Sequence, residues 1–346
     1  MLTEFQIDEE SAIPKYRQIV SIIMDNIEKG ILKIGHKVPS INEISERLYL
    51  SRDTVEKAYN SLKEKGIIIS VHGKGFYVAS NVIASRKNIL FLLNKLSSYK
   101  LQIYNSFVNS LGHQGDVNLK IYHCDPKLFL SILEENKGVF DYYVIMPHFK
   151  NELRGHENSN YDIISALKLI PEDKLILLDN NLPELSEKIA SVYQDFKMDI
   201  FDALSEALSI LSQYSKLILI FPRNPIYPYP LEILQGFKEF CAYYHFDSLV
   251  LNSFSEENPI IEKEAYIIIE ETDLVNLVQK VRNQNLQLGK DIGVISYNET
   301  PLKSLLGITV FSTDFCAMGE TAAYMIMKNK KDKVKNVFKF VNRNSI

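Results

Sequence analysis

Cysteine is scarce in this chain of 346 residues: Cys124, Cys241 and Cys316 lie far apart and show no paired metal spacing. Such a pattern fits reduced thiols in a cytoplasmic protein better than a disulfide scaffold or a zinc ribbon. The histidines at 36, 72, 113, 123, 148, 156 and 245 have no zinc-type spacing either, so no metal is expected. Long apolar runs are missing: residues 216–221 stop after a few positions, which excludes a membrane-spanning helix. The opening Met1-Leu2-Thr3-Glu4 is acidic and no long apolar run follows it, so no export signal is expected. GxSxG, GxGxxG and GxxxxGK[ST] are all absent, which removes nucleophile elbows and phosphate-binding glycine loops. Glu270 and Glu271 are adjacent and would face opposite sides of an extended strand, a poor acid and base pair. Neither an enzyme activity nor a cofactor is expected.

With 46% apolar and 24% charged residues, the composition is that of a folded soluble protein. The length calls for two or three domains. Residues 80–87 form a short polar connection without periodicity, which divides the chain into 1–80, a linker 81–87, and 88–346.

Residues 39–78 carry the densest local information. Ser40 followed by Glu43 has the capping-box spacing, in which each side chain satisfies a free N–H of the opening turn. Ile41, Ile44 and Leu48 then recur at helical spacing. A turn through Tyr49-Leu50 leads to Ser51, a second N-cap, and a helix with Val55, Ala58, Tyr59 and Leu62 inward. Gly66 ends that helix, and two strands joined by His72-Gly73-Lys74-Gly75 form a hairpin with a small basic tip. Upstream, Tyr16, Ile19, Ile23 and Ile27 define one face of a helix that opens at Pro14-Lys15-Tyr16 and stops before Gly30.

Helix, helix, helix, hairpin over residues 11–79 closely resembles the winged helix-turn-helix domain of the GntR family of bacterial transcription regulators. The resemblance implies double-stranded DNA as partner, with the second helix of the motif in the major groove and the wing tip in the adjacent minor groove. By position it implies contacts from Ser40, Asn42, Ser51, Arg52, Thr54, His72, Gly73 and Lys74. Arg52 suits base readout, because a guanidinium at a helix N-terminus can bond two acceptors of guanine. Ser40, Ser51 and Thr54 sit where hydroxyls and free N–H groups suit phosphate oxygens. Members of the family often carry Arg where this chain has Asn42 and a basic residue where it has Glu56, so the operator sequence does not transfer. Charge is only locally basic: residues 1–80 hold eleven Lys or Arg against eleven Asp or Glu, residues 33–80 eight against five. A weakly basic module needs two copies to bind tightly, which implies a homodimer on an operator of two half-sites.

Beyond residue 87 the pattern alternates between strands, at 88–93, 117–123, 142–146, 175–178, 217–221, 248–251, 265–269 and 292–296, and helices, at 101–111, 127–135, 199–211, 231–244 and 274–284. That alternation predicts parallel, doubly wound α/β architecture, long enough for two lobes. The phrases Leu286–Asn298, Gly307–Val310 with Met318-Gly319, Gln235-Gly236-Phe237 and Val192–Asp195 resemble the effector domains of LacI/GalR type, which share the periplasmic sugar-binding fold. The combination resembles the arabinose-repressor-like branch of the GntR family.

In open α/β sheets ligands bind outside the carboxyl ends of the strands. That rule nominates Asn94, Tyr99, His148, Asp179, Arg223, Glu271 and Asn298 as ligand-binding residues, and the resemblance adds Asp195. Tyr227 and Tyr229, in the proline-stiffened loop 221–230, are positioned to cover the apolar side of a sugar. Ile233 and Glu270-Glu271 stand where the family often has Arg and Asn-Asp, which argues against ordinary hexose recognition. Only Arg223 and Lys95 supply positive charge in this set, so a neutral sugar is expected. The expected function is therefore a DNA-binding regulator, by default a repressor, controlled by a small effector. The alternative is a DNA-binding dimer whose α/β region is only a scaffold.

Overall fold

The computed structural model describes residues 7–8, 14–79, 86–153, 155–222 and 225–346. It divides into two compact units, Met1–Arg86 and Lys87–Ile346. Residues 81–85 of the expected linker lie outside the described residues, and Lys87 already belongs to the first strand of the second unit.

In the first unit α1 (Lys15–Glu28), β1 (Lys37–Val38), α2 (Ile41–Leu48), α3 (Arg52–Glu64), β2 (Ile68–Val71) and β3 (Gly75–Val78) follow one another. The expected capping box is formed: Ser40 Oγ accepts from the Glu43 N–H at 3.2 Å, while the Glu43 carboxylate accepts from the Ser40 N–H at 2.5 Å. Tyr49 ends α2 in the left-handed region at φ 53°, and Ser51 caps α3 by accepting from the Thr54 N–H. Ile19, Ile23, Ile44, Val55, Ala58, Tyr59 and Leu62 close one core among the three helices, each about 1% exposed or less. Burying such side chains contributes roughly 1.5–3 kcal/mol each, which holds helices too short to persist alone. Tyr59 also donates to the Pro39 carbonyl and meets Phe76 edge to face at 4.8 Å, tying the wing to α3. The segment after α1 ends in the short strand β1, which pairs with β3 through Lys37–Tyr77 and Val38–Phe76. Two residues are too few for a period-2 pattern to show in sequence.

The second unit has two lobes, each a six-stranded sheet covered by helices on both faces. Its elements run β4 (Lys87–Leu93), α4 (Ser98–Leu111), β5 (Gly115–Ile121), α5 (Pro126–Glu135), β6 (Tyr142–Ile145), β7 (Phe149–Lys150), β8 (His156–Glu157), α6 (Tyr161–Leu167), β9 (Leu175–Asp179) and β10 (Ala190–Tyr193), then α7 (Phe196–Glu206), α8 (Leu208–Leu211), β11 (Lys216–Ile220), α9 (Leu231–Tyr243), β12 (Ser248–Leu251), β13 (Glu264–Ile268), α10 (Glu271–Asn283), β14 (Gly293–Tyr297), α11 (Pro301–Leu305), β15 (Thr309–Thr313), α12 (Phe315–Lys328), β16 (Lys333–Lys335) and β17 (Phe338–Val341). The first sheet, in the order β16-β10-β9-β6-β4-β5, is parallel throughout. The second, β12-β11-β13-β14-β15-β17, is parallel except for β17, which runs antiparallel to β15. Because β16 returns to the first sheet after β15 and β17 to the second, the chain crosses between lobes three times.

Strand β4 shows why its sequence is a continuous apolar run. Ile89, Phe91 and Leu93 pack towards α4 and α12, while Leu90 and Leu92 pack towards α5 and α6, as a strand buried on both faces requires. Two glycines permit helices to touch. A Cβ on Gly236 of α9 would stand 2.2 Å from the Lys197 carbonyl of α7, and one on Gly319 of α12 would stand 2.3 Å from the Ile103 carbonyl of α4. The helix expected over 199–211 begins at Phe196 and breaks at Ala207 into α7 and α8. Glu270 and Glu271 are not on a strand: Glu270 is the N-cap residue of α10 and Glu271 its first residue. Their different surroundings come from that helix start, not from strand alternation.

Candidate nucleic-acid interface and ligand cleft

The N-terminus of α3 and the turn between β2 and β3 present exposed polar residues. Arg52 opens α3 fully in solvent reach, with Ser51 before it; Ser51 Oγ and Thr54 Oγ1 share a hydrogen bond at 2.8 Å. Asn42 is exposed on the first turn of α2, and Ser40 is half-buried in the capping box. His72, Gly73 and Lys74 form the exposed wing tip, closed by the Lys74 N–H donating to the Val71 carbonyl at 3.0 Å. Gly73, at φ 70°, supplies the left-handed conformation that this tight turn needs. Lys57 is taken up differently, its ammonium 4.5 Å from the centre of the Tyr16 ring.

In the second unit, a cleft enclosing a cavity of about 60 Å³, partly open to solvent, lies at the carboxyl ends of both sheets. Asn94 after β4, His148 after β6, Asp179 ending β9 and Asn298 after β14 all line it, together with Tyr99 of α4. Each enters because parallel strands deliver their successors to one edge. Asp195 does not: its carboxylate caps α7 by accepting from the Met198 N–H, and its neighbours Gln194 and Phe196 line the cavity instead. Likewise Tyr229, rather than Tyr227, contributes to the wall, while the Tyr227 hydroxyl lies 3.2 Å from His123 Nδ1. Glu271 faces an outer compartment that shares Tyr99, Tyr229, Tyr297 and Asn298 with the inner one. Arg223 lies outside the described residues.

A buried polar network forms the floor. Asp179 accepts through Oδ2 from the Lys100 ammonium and from His148 Nε2 at 2.9 Å, and through Oδ1 from the Gln194 amide. The Gln194 carbonyl oxygen accepts in turn from the Thr313 hydroxyl at the end of β15. Residues of α4, β9, the β10–α7 passage and β15 are thereby joined, so the network spans both lobes. Burial by itself would raise the Asp179 carboxyl, but the Lys100 and His148 partners outweigh it and hold Asp179 well below the usual carboxylate range. Burial lowers His148 despite Asp179, and burial with His148 alongside pushes His156 down to about 2. Both rings are therefore neutral at pH 7. His148 Nε2–H donates to the carboxylate, which leaves Nδ1 to accept, at 2.8 Å, from His156 Nε2–H.

Lys303, 4% exposed, donates to the Tyr297 and Asn298 carbonyls at 2.9 Å each. It thereby supports Asn298 in the left-handed region at φ 66°. Two residues lining the cavity each carry a buried atom without a hydrogen-bond partner, Asn94 Oδ1 and Tyr297 Oη. Orphaned polar atoms in the walls of a cavity call for a hydrogen-bonding partner. Lys100, Gln194 and Tyr297 line the cavity without a signal in the sequence that marks them. Lys100 reads as an ordinary helix-surface lysine, although it lies in the first turn after a strand's carboxyl end. To Lys95, which sequence already counted as a cation, the cavity adds Lys100, paired with Asp179.

The two units together define a class: a winged helix-turn-helix module in one chain with a two-lobed α/β unit of the periplasmic-binding-protein type. Residues 15–78 match the model of the bacterial regulatory proteins of the gntR family. The chain is 31% identical over 118 residues to the HTH-type transcriptional repressor YtrA of Bacillus subtilis, a stretch covering 34% of this chain and 85% of that protein. It is 34% identical over 71 residues to the arabinose metabolism transcriptional repressor of Geobacillus stearothermophilus, 20% of either chain. A LacI family regulator from Lactobacillus casei with bound glucose superposes on 75% of this chain and 99% of its own at a TM-score of 0.57 and 13% identity. The lac repressor dimer bound to operator and the anti-inducer ONPF superposes on 77% of this chain and 98% of its own at a TM-score of 0.57 and 14% identity. At those identities the likeness establishes the fold of the second unit. The chain belongs to the GntR family of DNA-binding transcription regulators. Among its described residues no helix is long and apolar enough to cross a membrane.

Proposed function

We propose that the protein is a repressor that binds an operator of two half-sites as a homodimer and that a small polyhydroxylated ligand in the cleft of the second unit controls this binding. Residues up to about 80 read DNA, with Arg52 at base edges, Ser40, Asn42, Ser51 and Thr54 along the phosphates, and His72, Gly73 and Lys74 in the minor groove. Residues from 87 onward sense the effector through Asn94, Tyr99, His148, Asp179 and Asn298, while Glu271 and Tyr227 act from its rim. The observation that carries the proposal is the inner cavity with two buried unpartnered polar atoms, Asn94 Oδ1 and Tyr297 Oη, beside a network that joins both lobes. A sugar hydroxyl taken from water must regain its hydrogen bonds, and these atoms offer them. Sugar-bound LacI-type neighbours support the ligand class.

Mechanistically, a ligand that bonds to Asn94 on one lobe and Tyr297 on the other favours the closed arrangement of the lobes by its differential affinity for it. Closure acts on the Asp179–Gln194–Thr313 chain, and linkage then requires operator DNA to alter ligand affinity by the same factor. Fluorescence anisotropy with duplexes from the neighbourhood of its own gene, run with and without a monosaccharide panel, tests this. Expected are saturable DNA binding and its weakening by at least one sugar, with Asn94→Ala losing the response but retaining DNA binding. Failure to bind any such duplex at low salt would overturn the regulator reading. Binding that no ligand alters would leave the second unit as a scaffold.

A further inference from the structure

Three lysines of the second unit are almost entirely buried, Lys95 at 8% exposure and Lys100 and Lys303 at 4% each. Two have evident partners. Lys100 is paired with Asp179, and Lys303 donates to two backbone carbonyls with Glu271 Oε1 3.8 Å away. Lys95 has no ion-pair or hydrogen-bond partner among the described residues. Its ammonium instead sits among three tyrosine rings, 4.9 Å from the centre of Tyr229, 5.5 Å from Tyr227 and 5.8 Å from Tyr99. Ring faces attract a cation but supply no acceptor lone pair for its N–H groups. A buried ammonium without acceptors is unfavourable unless a charge meets it.

The acids around Lys95 do not fill that role. Asp179 is committed to Lys100, His148 and Gln194. The Cys124 thiol is raised by burial, which keeps it protonated at neutral pH. Glu270 belongs to the outer compartment, where it interacts with the Tyr229 hydroxyl, and burial raises its carboxyl towards the neutral form. Lys95 itself is lowered by burial, with these acids opposing only in part. The inner cavity thus holds two lysines against one carboxylate, with neutral His148 and His156 behind it.

Resting on the effector reading above, we infer that the ligand is an anionic sugar, a polyol bearing one carboxylate or phosphate group, with its acid group seated against Lys95 Nζ and its hydroxyls against Asn94 and Tyr297. The tyrosine rings around Lys95 exclude water from that ion pair, which strengthens it. They also offer faces to the apolar side of the sugar ring.

Matched trios of neutral sugar, uronic acid and hexose 6-phosphate, in the glucose and galactose series, added to the full-length protein at constant ionic strength, test this by thermal shift and calorimetric titration. At least one acidic member should raise the unfolding midpoint while its neutral counterpart does not, and whether uronate or phosphate does so identifies the acid group. Lys95→Met keeps the aliphatic stem and removes the charge, so the ligand-free protein should unfold at the same temperature or higher. Affinity for the acidic member should fall about 10- to 100-fold. A neutral sugar binding as tightly as its acidic partners, or unchanged affinity in Lys95→Met, overturns the inference and leaves the effector reading standing. Silence across both trios with DNA binding intact overturns the inference and the effector reading together.

Discussion

Replacing Asp179 by Asn should destabilise the second unit more than any other isosteric change in the cleft. Its carboxylate is 3% exposed and accepts from Lys100, His148 and Gln194 at once. The amide keeps the shape and one acceptor oxygen, so the term removed is mainly the charge that balances Lys100. Breaking a buried pair by neutralising one partner costs about 3–5 kcal/mol, because the remaining charge stays buried without compensation. At about 2–4 °C per kcal/mol for a unit of this size, the midpoint should drop by about 6–20 °C. Differential scanning calorimetry of the full chain is the assay, since a winged-helix transition that stays in place would localise the loss to the second unit. Lys100→Met should be damaging in the same way. The double variant Asp179→Asn with Lys100→Met should recover about 2–3 kcal/mol relative to the sum of the singles, because neither charge is then stranded. A single-variant drop below about 2 °C, or strict additivity of the two substitutions, would show that Lys100 and Asp179 are not paired in a dry site.

The two low histidines predict acid sensitivity with a defined sign: both fold neutral, so their contribution to stability is complete above the unfolded value near pH 6.5 and declines as pH falls towards about 2 for His156. At pH 5 this amounts to about 2 kcal/mol for His156; urea midpoints at pH 7.5 and 5 should differ less in His156→Gln than in the wild type, and equal differences would count against a buried neutral pair. Gly236→Ala places a Cβ 2.2 Å from the Lys197 carbonyl and should destabilise by about 1–3 kcal/mol as α7 and α9 are forced apart, measurable by urea unfolding; a neutral outcome would contradict the close approach. Arg52→Ala should weaken operator binding about 10- to 100-fold and relax specificity at one base pair. Lys74→Ala should weaken all duplexes alike and reduce the slope of log affinity against log salt by about 0.9. Anisotropy titrations over a salt series separate the two, and identical behaviour of both variants would remove the assignment of base readout to Arg52.

How far the cleft was legible in sequence follows from the geometry of parallel strands. Asn94, His148, Asp179 and Asn298 were identifiable because each falls at or just past a strand's carboxyl end, a position that periodicity alone locates within a residue or two. That tolerance is too coarse for Gln194 and Asp195: adjacent residues there take opposite roles, Asp195 capping α7 and Gln194 bonding to Asp179. Tyr227 and Tyr229 are separated by the same small margin, because the proline loop fixes its own path and no repeating pattern marks which ring turns inward.

The sequence by itself determined the winged helix-turn-helix, since its signals are local: the Ser40–Glu43 box, the Ser51 cap, the apolar spacing of α2 and α3, and the glycine-containing turn of the wing all act within a few residues of chain. It likewise determined that the remainder alternates between strands and helices. Only the tertiary structure decided which polar residues meet. Lys100 finds Asp179 across 79 positions and Gln194 finds Thr313 across 119, and Lys95 is left alone among tyrosines from two distant segments. Such pairings carry no periodicity and depend on three crossings between lobes. Their energies come from exclusion of water, which no stretch of sequence can supply until the two sheets have closed around it.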